Sequence, residues 1–153
     1  MGQLPLRTHA QNGQTALSDQ GVELALQTAL SSLKPSVLSN LPTHAIKGYK
    51  NVTMVSASTV FTAPLEWITV LLSMGSNVTL KRPQNALFMW DQWAKLYPGS
   101  NLGITTQKEA IQNADLVIAM GSDDTISTIK NQLPNHTKFL GFGHKFSIAW
   151  VTE

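Results

Sequence analysis

Gly75-Ser76-Asn77-Val78-Thr79-Leu80-Lys81 decides the fold of this chain. The glycine closes an apolar segment that opens at Ala63-Pro64 and carries Leu65, Ile68, Leu71 and Leu72 at helical spacing. Proline suits the first turn of a helix, and glycine suits the residue just past its end. Val78-Thr79-Leu80 then reads as a short strand that finishes on Lys81. A lysine at the C-terminal end of a buried parallel strand stands where open α/β sheets bind their ligands.

The rhythm extends in both directions. Upstream, Val52-Thr53-Met54-Val55-Ser56-Ala57 reads as a strand. Downstream, Pro83 starts a helix through Leu87, Trp90, Trp93, Ala94 and Leu96, closed by Pro98-Gly99. The spacing predicts one short helix over 107–113. Leu116-Val117-Ile118-Ala119-Met120 is the clearest buried strand. Gly121-Ser122-Asp123-Asp124 caps a helix carrying Ile126 and Ile129, ended by Pro134. Lys138 to Phe142 makes a fourth strand, and Ser147 to Val151 begins a fifth. Strands alternating with helices imply an α/β fold, a parallel sheet covered on both faces. Right-handed crossovers then give a Rossmann-like layering.

Residues 1–50 are expected to be a helical lead-in. The first 17 are polar and patternless. Ser18-Asp19 can cap a helix whose apolar positions are Val22, Leu26, Ala29, Leu30 and Leu33, with Pro35 as its stop and a connecting region to residue 50. Residues 51–153 form the expected nucleotide-binding domain. The chain stops at Glu153, inside or just after a strand, so this domain is expected to be cut at its C-terminal end.

Composition bounds the function. With 153 residues the chain makes one domain. Hydrophobic residues are 42% and charged residues only 13%, the latter about half the usual ~25%. So few charges fit a surface covered by another domain or subunit, homo-oligomerisation included; compositional drift explains them equally well. The net charge is +2, and beyond Lys81-Arg82 the basic residues are scattered. That is not a nucleic-acid footprint. No apolar run is long enough to span a membrane, and the N-terminus lacks the apolar core of a secretory signal. The cytoplasm is the default compartment, and the sequons at Asn51, Asn77 and Asn135 are then accidental. There is no cysteine, hence no disulfide framework.

Each candidate site residue has a plainer alternative. Lys81 could pair with an anionic or ribose-bearing ligand, or be a surface lysine in a turn. Arg82 could assist with a 2′-phosphate, or face solvent. Gly121-Ser122 lies between a buried strand and a helix start, where backbone N–H groups and the hydroxyl can hold an anion; simple capping by Ser122 or Asp123 is the alternative. Asp123-Asp124 suits the helix dipole but would repel a phosphate placed too close, and no third carboxylate lies at metal-ligand spacing. Gly141-Phe142-Gly143-His144-Lys145 is a turn that allows close backbone approach. It is not a GxGxxG loop. His144 could be an acid/base group, or simply polar. Trp67, Trp90, Trp93 and Trp150 are expected in the core.

These residues resemble the aldehyde dehydrogenase superfamily. APLEWITVLLSMGSNVTLK (63–81) is similar to that family's helix, glycine turn and strand ending in a cofactor-contacting lysine. Met120-Gly121-Ser122 resembles its Thr-Gly-Ser turn near the pyrophosphate, and Gly143-His144-Lys145 its Gly-Gly-Lys. GSDDTIS and GFGHKFSIAWV look most like the acyl-CoA reductase branch, the fatty-acid reductases of bacterial luminescence type. The resemblance covers about residues 50–152. It implies NADP or NAD as cofactor, held by Ser56, Lys81, Gly121 and Ser122, and acyl-CoA as a partner through a catalytic domain not in this chain. The family's pocket asparagine aligns with Ser58, and the glutamate that serves hydrolytic members aligns with Gly141. Losing that glutamate suits a reductase that exchanges its thioester with coenzyme A instead of water. The family's cysteine nucleophile is absent, so no catalytic residue is assigned and this chain alone is expected to be inactive. The implied function is the NAD(P)-binding portion of an enzyme reducing an acyl thioester to an aldehyde. A non-catalytic α/β module binding a nucleotide or a partner is the alternative, and a ligand-free interaction domain a third.

Overall fold

The computed structural model describes residues 19–38, 47–57, 62–84, 94–95 and 97–144. Most of the helix expected from Pro83 to Leu96, the strand expected at 147–151, Ser58, Trp90, Trp93 and Trp150 lie outside the described residues.

Five strands form one sheet: β1 (Asn51–Val55), β2 (Asn77–Lys81), β3 (Leu102–Thr105), β4 (Leu116–Met120) and β5 (Lys138–Phe142). Their order is β3-β2-β1-β4-β5, and every pairing is parallel. The helices are α1 (Asp19–Ser32), α2 (Pro35–Leu38), α3 (Pro64–Ser73) and α4 (Asp123–Gln132), with a 3-10 turn at Lys108–Ile111. This is the expected α/β, Rossmann-like arrangement.

The decisive stretch folds for local reasons. Pro64 occupies the first turn of α3. Gly75 ends that helix at φ +82°, a conformation cheap only for glycine. The N–H of Ser76 donates to Leu71 O and that of Gly75 to Leu72 O, both at 3.0 Å. This is the Schellman closure, which satisfies the last carbonyls of the helix. The chain then enters β2, whose Val78 and Leu80 are buried.

One face of the sheet packs on α3 and α1 through Val52, Met54, Val78, Leu80, Leu116 and Ile118. The other face carries Val55, Val117 and Ala119, covered by Ile111, Ala114 and the partly buried Ile126 and Ile129 of α4. Strands buried on both faces read as continuous apolar runs, which is why Leu116–Met120 stood out. Thr53 is the buried polar residue of β1, and its hydroxyl donates to Ala110 O at 2.8 Å, tying the 3-10 turn to the sheet. At the N-terminal edge, the N–H of Asn51 donates to Asp115 Oδ2 at 2.9 Å and Asn77 Nδ2 donates to Asn51 Oδ1 at 3.1 Å.

Several expectations change in detail. β3 was not foreseen: it is short, contains Gly103, and has no fully buried residue. β1 ends at Val55, although the Ser56 N–H continues the ladder to Lys81 O at 3.2 Å. The helix expected over 107–113 is a single 3-10 turn. In α1, Ala29 is buried as the spacing predicts but Leu30 is 45% exposed. Pro35 opens the one-turn α2 as well as closing the connection from α1.

Candidate dinucleotide cleft

The register sets up the site. Val55 lies opposite Lys81 on one side and Ala119 on the other, and Ala119 lies opposite Gly141. The C-terminal ends of β2, β1, β4 and β5 therefore finish in nearly one row. The chain runs from β1 outward to β2 and β3, then returns to place β4 on the other side of β1. The edge beside β1 and β4 is thus the topological switch point, where open α/β sheets bind ligands.

A cleft of about 1440 Å³ opens there, above the ~300–1,000 Å³ usual for drug-sized ligands. Ser56, Lys81, Gly121 and Ser122 all line it. Because β1 separates β2 from β4, Lys81 and the β4 end stand about 10 Å apart, two strand spacings. That distance suits a ligand with several polar groups along its length.

Lys81 is half-buried. Desolvation, and then the positive charge of nearby Lys108, hold its ammonium below the ordinary lysine value of 10.5. An anionic group in the cleft would relieve both effects. Ser122 caps α4: its hydroxyl accepts from the Thr125 N–H at 3.2 Å and shares a hydrogen bond with Thr125 Oγ1 at 2.9 Å. The Gly121 N–H donates to Phe142 O at 3.2 Å. The capping alternative for Ser122 is therefore realised, and the Gly121 amide is engaged by the sheet. Ser56 is buried, its hydroxyl donating to Ala57 O at 3.1 Å. Arg82 donates to Pro83 O at 3.5 Å.

The remaining lining is mostly apolar or aromatic, with Thr28, Thr62, Glu66, Thr125 and His144 as its polar members. Trp67 of α3 and Phe142 at the end of β5 both line the cleft, with ring centroids 5.7 Å apart and planes at 47°. Trp67 is thus partly buried, packed against the core cluster on one side and lining the cleft on the other. Gly143 and His144 line the same cleft, and the His144 N–H donates to Asp123 Oδ1 at 2.9 Å. Asp123 therefore anchors the turn after β5. A cation at one side, hydroxyls at the switch point and aromatic rings at the other side form a donor set that fits a dinucleotide. No group of three or more His, Cys, Asp or Glu among the described residues could hold a metal, and no helix there is long and apolar enough to cross a membrane.

Sequence reasoning missed the aromatic wall and the face of α1 that lines the cleft. The only signal for the wall was Phe142 adjoining the glycine-bearing turn. Gly141 is shaped by packing: a Cβ there would lie 2.7 Å from Ile126 Cγ2 and 2.9 Å from the Phe139 ring.

No curated protein and no solved structure matches the chain. Residues 95–153 match the family model described as acyl-CoA reductase (LuxC). The matched part contains β3, β4, α4 and β5, and with them Gly121, Ser122, Phe142 and Gly143, whereas Ser56, Lys81 and Trp67 precede it. Over residues 95–153, then, this chain carries the sequence pattern of the acyl-CoA reductase (LuxC) family.

Proposed function

We propose that this chain is the nicotinamide-dinucleotide-binding portion of an acyl-CoA reductase that converts an acyl thioester to an aldehyde. The observation that carries the reading is the convergence of Ser56, Lys81, Gly121 and Ser122 on one cleft at the switch point, two of them inside the LuxC-matched stretch. Lys81 would hold a ribose or phosphate oxygen, and Ser122 would offer its hydroxyl to the phosphates. Bound there, the cofactor would supply hydride. The thiolate that carries the acyl group in such chemistry is not supplied by this chain, which has no cysteine.

The charges at the end of β2 favour NADP over NAD. Two cations, Lys81 and Lys108, act on one another at the end of β2, and Arg82 follows directly. Dinucleotide folds that take NAD place an acidic residue on the ribose 2′-OH, whereas a nearby cation accommodates the 2′-phosphate. Calorimetric titration of the chain with NADPH and NADH tests this. Expected is saturable binding with NADPH the tighter ligand; no binding of either overturns the reading.

The absence of cysteine also supports a second reading, a non-catalytic nucleotide-binding module. Under both readings the pure chain does not oxidise NADPH in response to acyl-CoA.

A further inference from the structure

Helix α1 lies outside both the LuxC-matched stretch and the β-α-β core, yet it borders the cleft. Gly21, Leu24, Ala25 and Thr28 all line it. They occupy positions i, i+3, i+4 and i+7, one continuous face of the helix. Leu24 is 65% exposed, although it is the largest apolar side chain on that face. Ala29 is in the buried cluster and Ala25 is packed against it, so α1 has a fixed seat beside α3. Among the described side chains of α1, alanines face the core and a leucine stands at the cleft.

The cleft is chemically two-sided. Its cationic side is Lys81; its apolar side comprises Leu24, Trp67 and Phe142, from three separate elements. A ligand that joins anionic phosphates to a flat heteroaromatic ring matches both sides at once. Rings are bound by such apolar and aromatic walls, with few polar groups fixing their orientation.

We propose that α1 is part of the cofactor site, its Gly21–Leu24–Ala25–Thr28 face forming with Trp67 and Phe142 the wall against which a ring of the dinucleotide packs. This rests on the nicotinamide-dinucleotide reading above. The lead-in helix is then a binding element, and a protein starting at β1 would have a cofactor site without that wall.

The test titrates NADPH, 2′,5′-ADP and nicotinamide mononucleotide into the wild-type chain, Leu24→Glu and Lys81→Ala. Leu24→Glu adds a charge at an exposed position and is expected to leave the circular dichroism spectrum unchanged. It should weaken NADPH at least tenfold. It should also weaken whichever half-ligand carries the ring against α1, 2′,5′-ADP or the mononucleotide, and spare the other. As a second measurement, hydrogen exchange at residues 19–32 should slow on saturation with NADPH by more than it slows in β3. If Lys81→Ala weakens NADPH but Leu24→Glu binds all three ligands as the wild type does, the role of α1 is overturned while the dinucleotide reading stands. If the wild type binds none of the three, both fall.

Discussion

Asp123 Oδ1 accepts the backbone N–H of His144 at 2.9 Å, and a side chain on Gly143 would run into that same carboxylate oxygen. The first turn of α4 and the turn after β5 are thus joined by one contact that leaves no room for a Cβ. Asp123→Ala should cost roughly 0.5–1.5 kcal/mol, the net value of one hydrogen bond. Gly143→Ala should cost about the same, since the clashing oxygen is the free end of an exposed side chain that can swing away at the loss of this bond. In the double variant the carboxylate is gone and the clash with it. The two losses should then fall short of additivity by at least ~0.5 kcal/mol, the scale of coupling between touching residues. Urea unfolding of the four proteins measures this, and strict additivity would show that the two residues do not share the contact.

Lys81 should weaken the fold while strengthening ligand binding. Its ammonium sits below the ordinary lysine value because of desolvation and the charge of Lys108. Between that lowered value and 10.5 the unfolded chain binds more protons than the folded one, so stability rises with pH across that window. Below the window the full cost of the buried charge is present. Lys81→Met should therefore stabilise the chain at pH 7 and flatten the alkaline rise. The same substitution should weaken NADPH about tenfold to a hundredfold, the loss of a charge-assisted bond of roughly 1.5–3 kcal/mol. Wild-type affinity should fall as pH rises through the lowered lysine value. Calorimetry and thermal melts from pH 7 to 11 check both signs.

Much of this was legible because it is local. Gly75 past a helix end and Lys81 at a strand end follow from a few neighbouring residues, and Leu116–Met120 is apolar because both its faces are covered. β3 escaped because its strand character comes from its partner: Val78 N–H donates to Asn101 O and Arg82 N–H to Thr105 O, bracketing a short stretch of weak pattern. The strand-end places of Ser56, Lys81, Gly121 and Ser122 were readable, but their convergence on one cleft depends on register. The walls were not readable. Trp67 looks like core on helical spacing alone, and nothing within α1 tells that its Leu24 face turns to a cleft rather than to the sheet.

Ser122 separates capping from binding. Its hydroxyl caps α4 through the Thr125 N–H, so Ser122→Ala should cost ~0.5–2 kcal/mol of stability and also weaken NADPH. Ser122→Asp keeps a good cap and should hold stability within about 0.5 kcal/mol of the wild type. It places a negative charge beside the phosphates and should weaken NADPH at least tenfold. Unfolding and titration of both variants give the comparison. An aspartate variant that binds NADPH as well as the wild type would mean the phosphates lie elsewhere.

Gly141 tests how tightly β5 packs against α4. Phe139 and Gly141 point to the same side of β5, that of α4, because side chains alternate along a strand. A Cβ on Gly141 meets the branched methyl of Ile126 and the Phe139 ring at under 3 Å, and neither is the free end of a flexible chain. Gly141→Ala should therefore destabilise by about 1–3 kcal/mol. Gly141→Glu should destabilise at least as much, since a longer side chain must leave through the same gap. Trimming the neighbour provides the control: Ile126→Ala alone loses packing, but in its background Gly141→Ala should cost measurably less. If Gly141→Ala is neutral in urea unfolding, the strand has room for a side chain, and packing does not explain the glycine at this position.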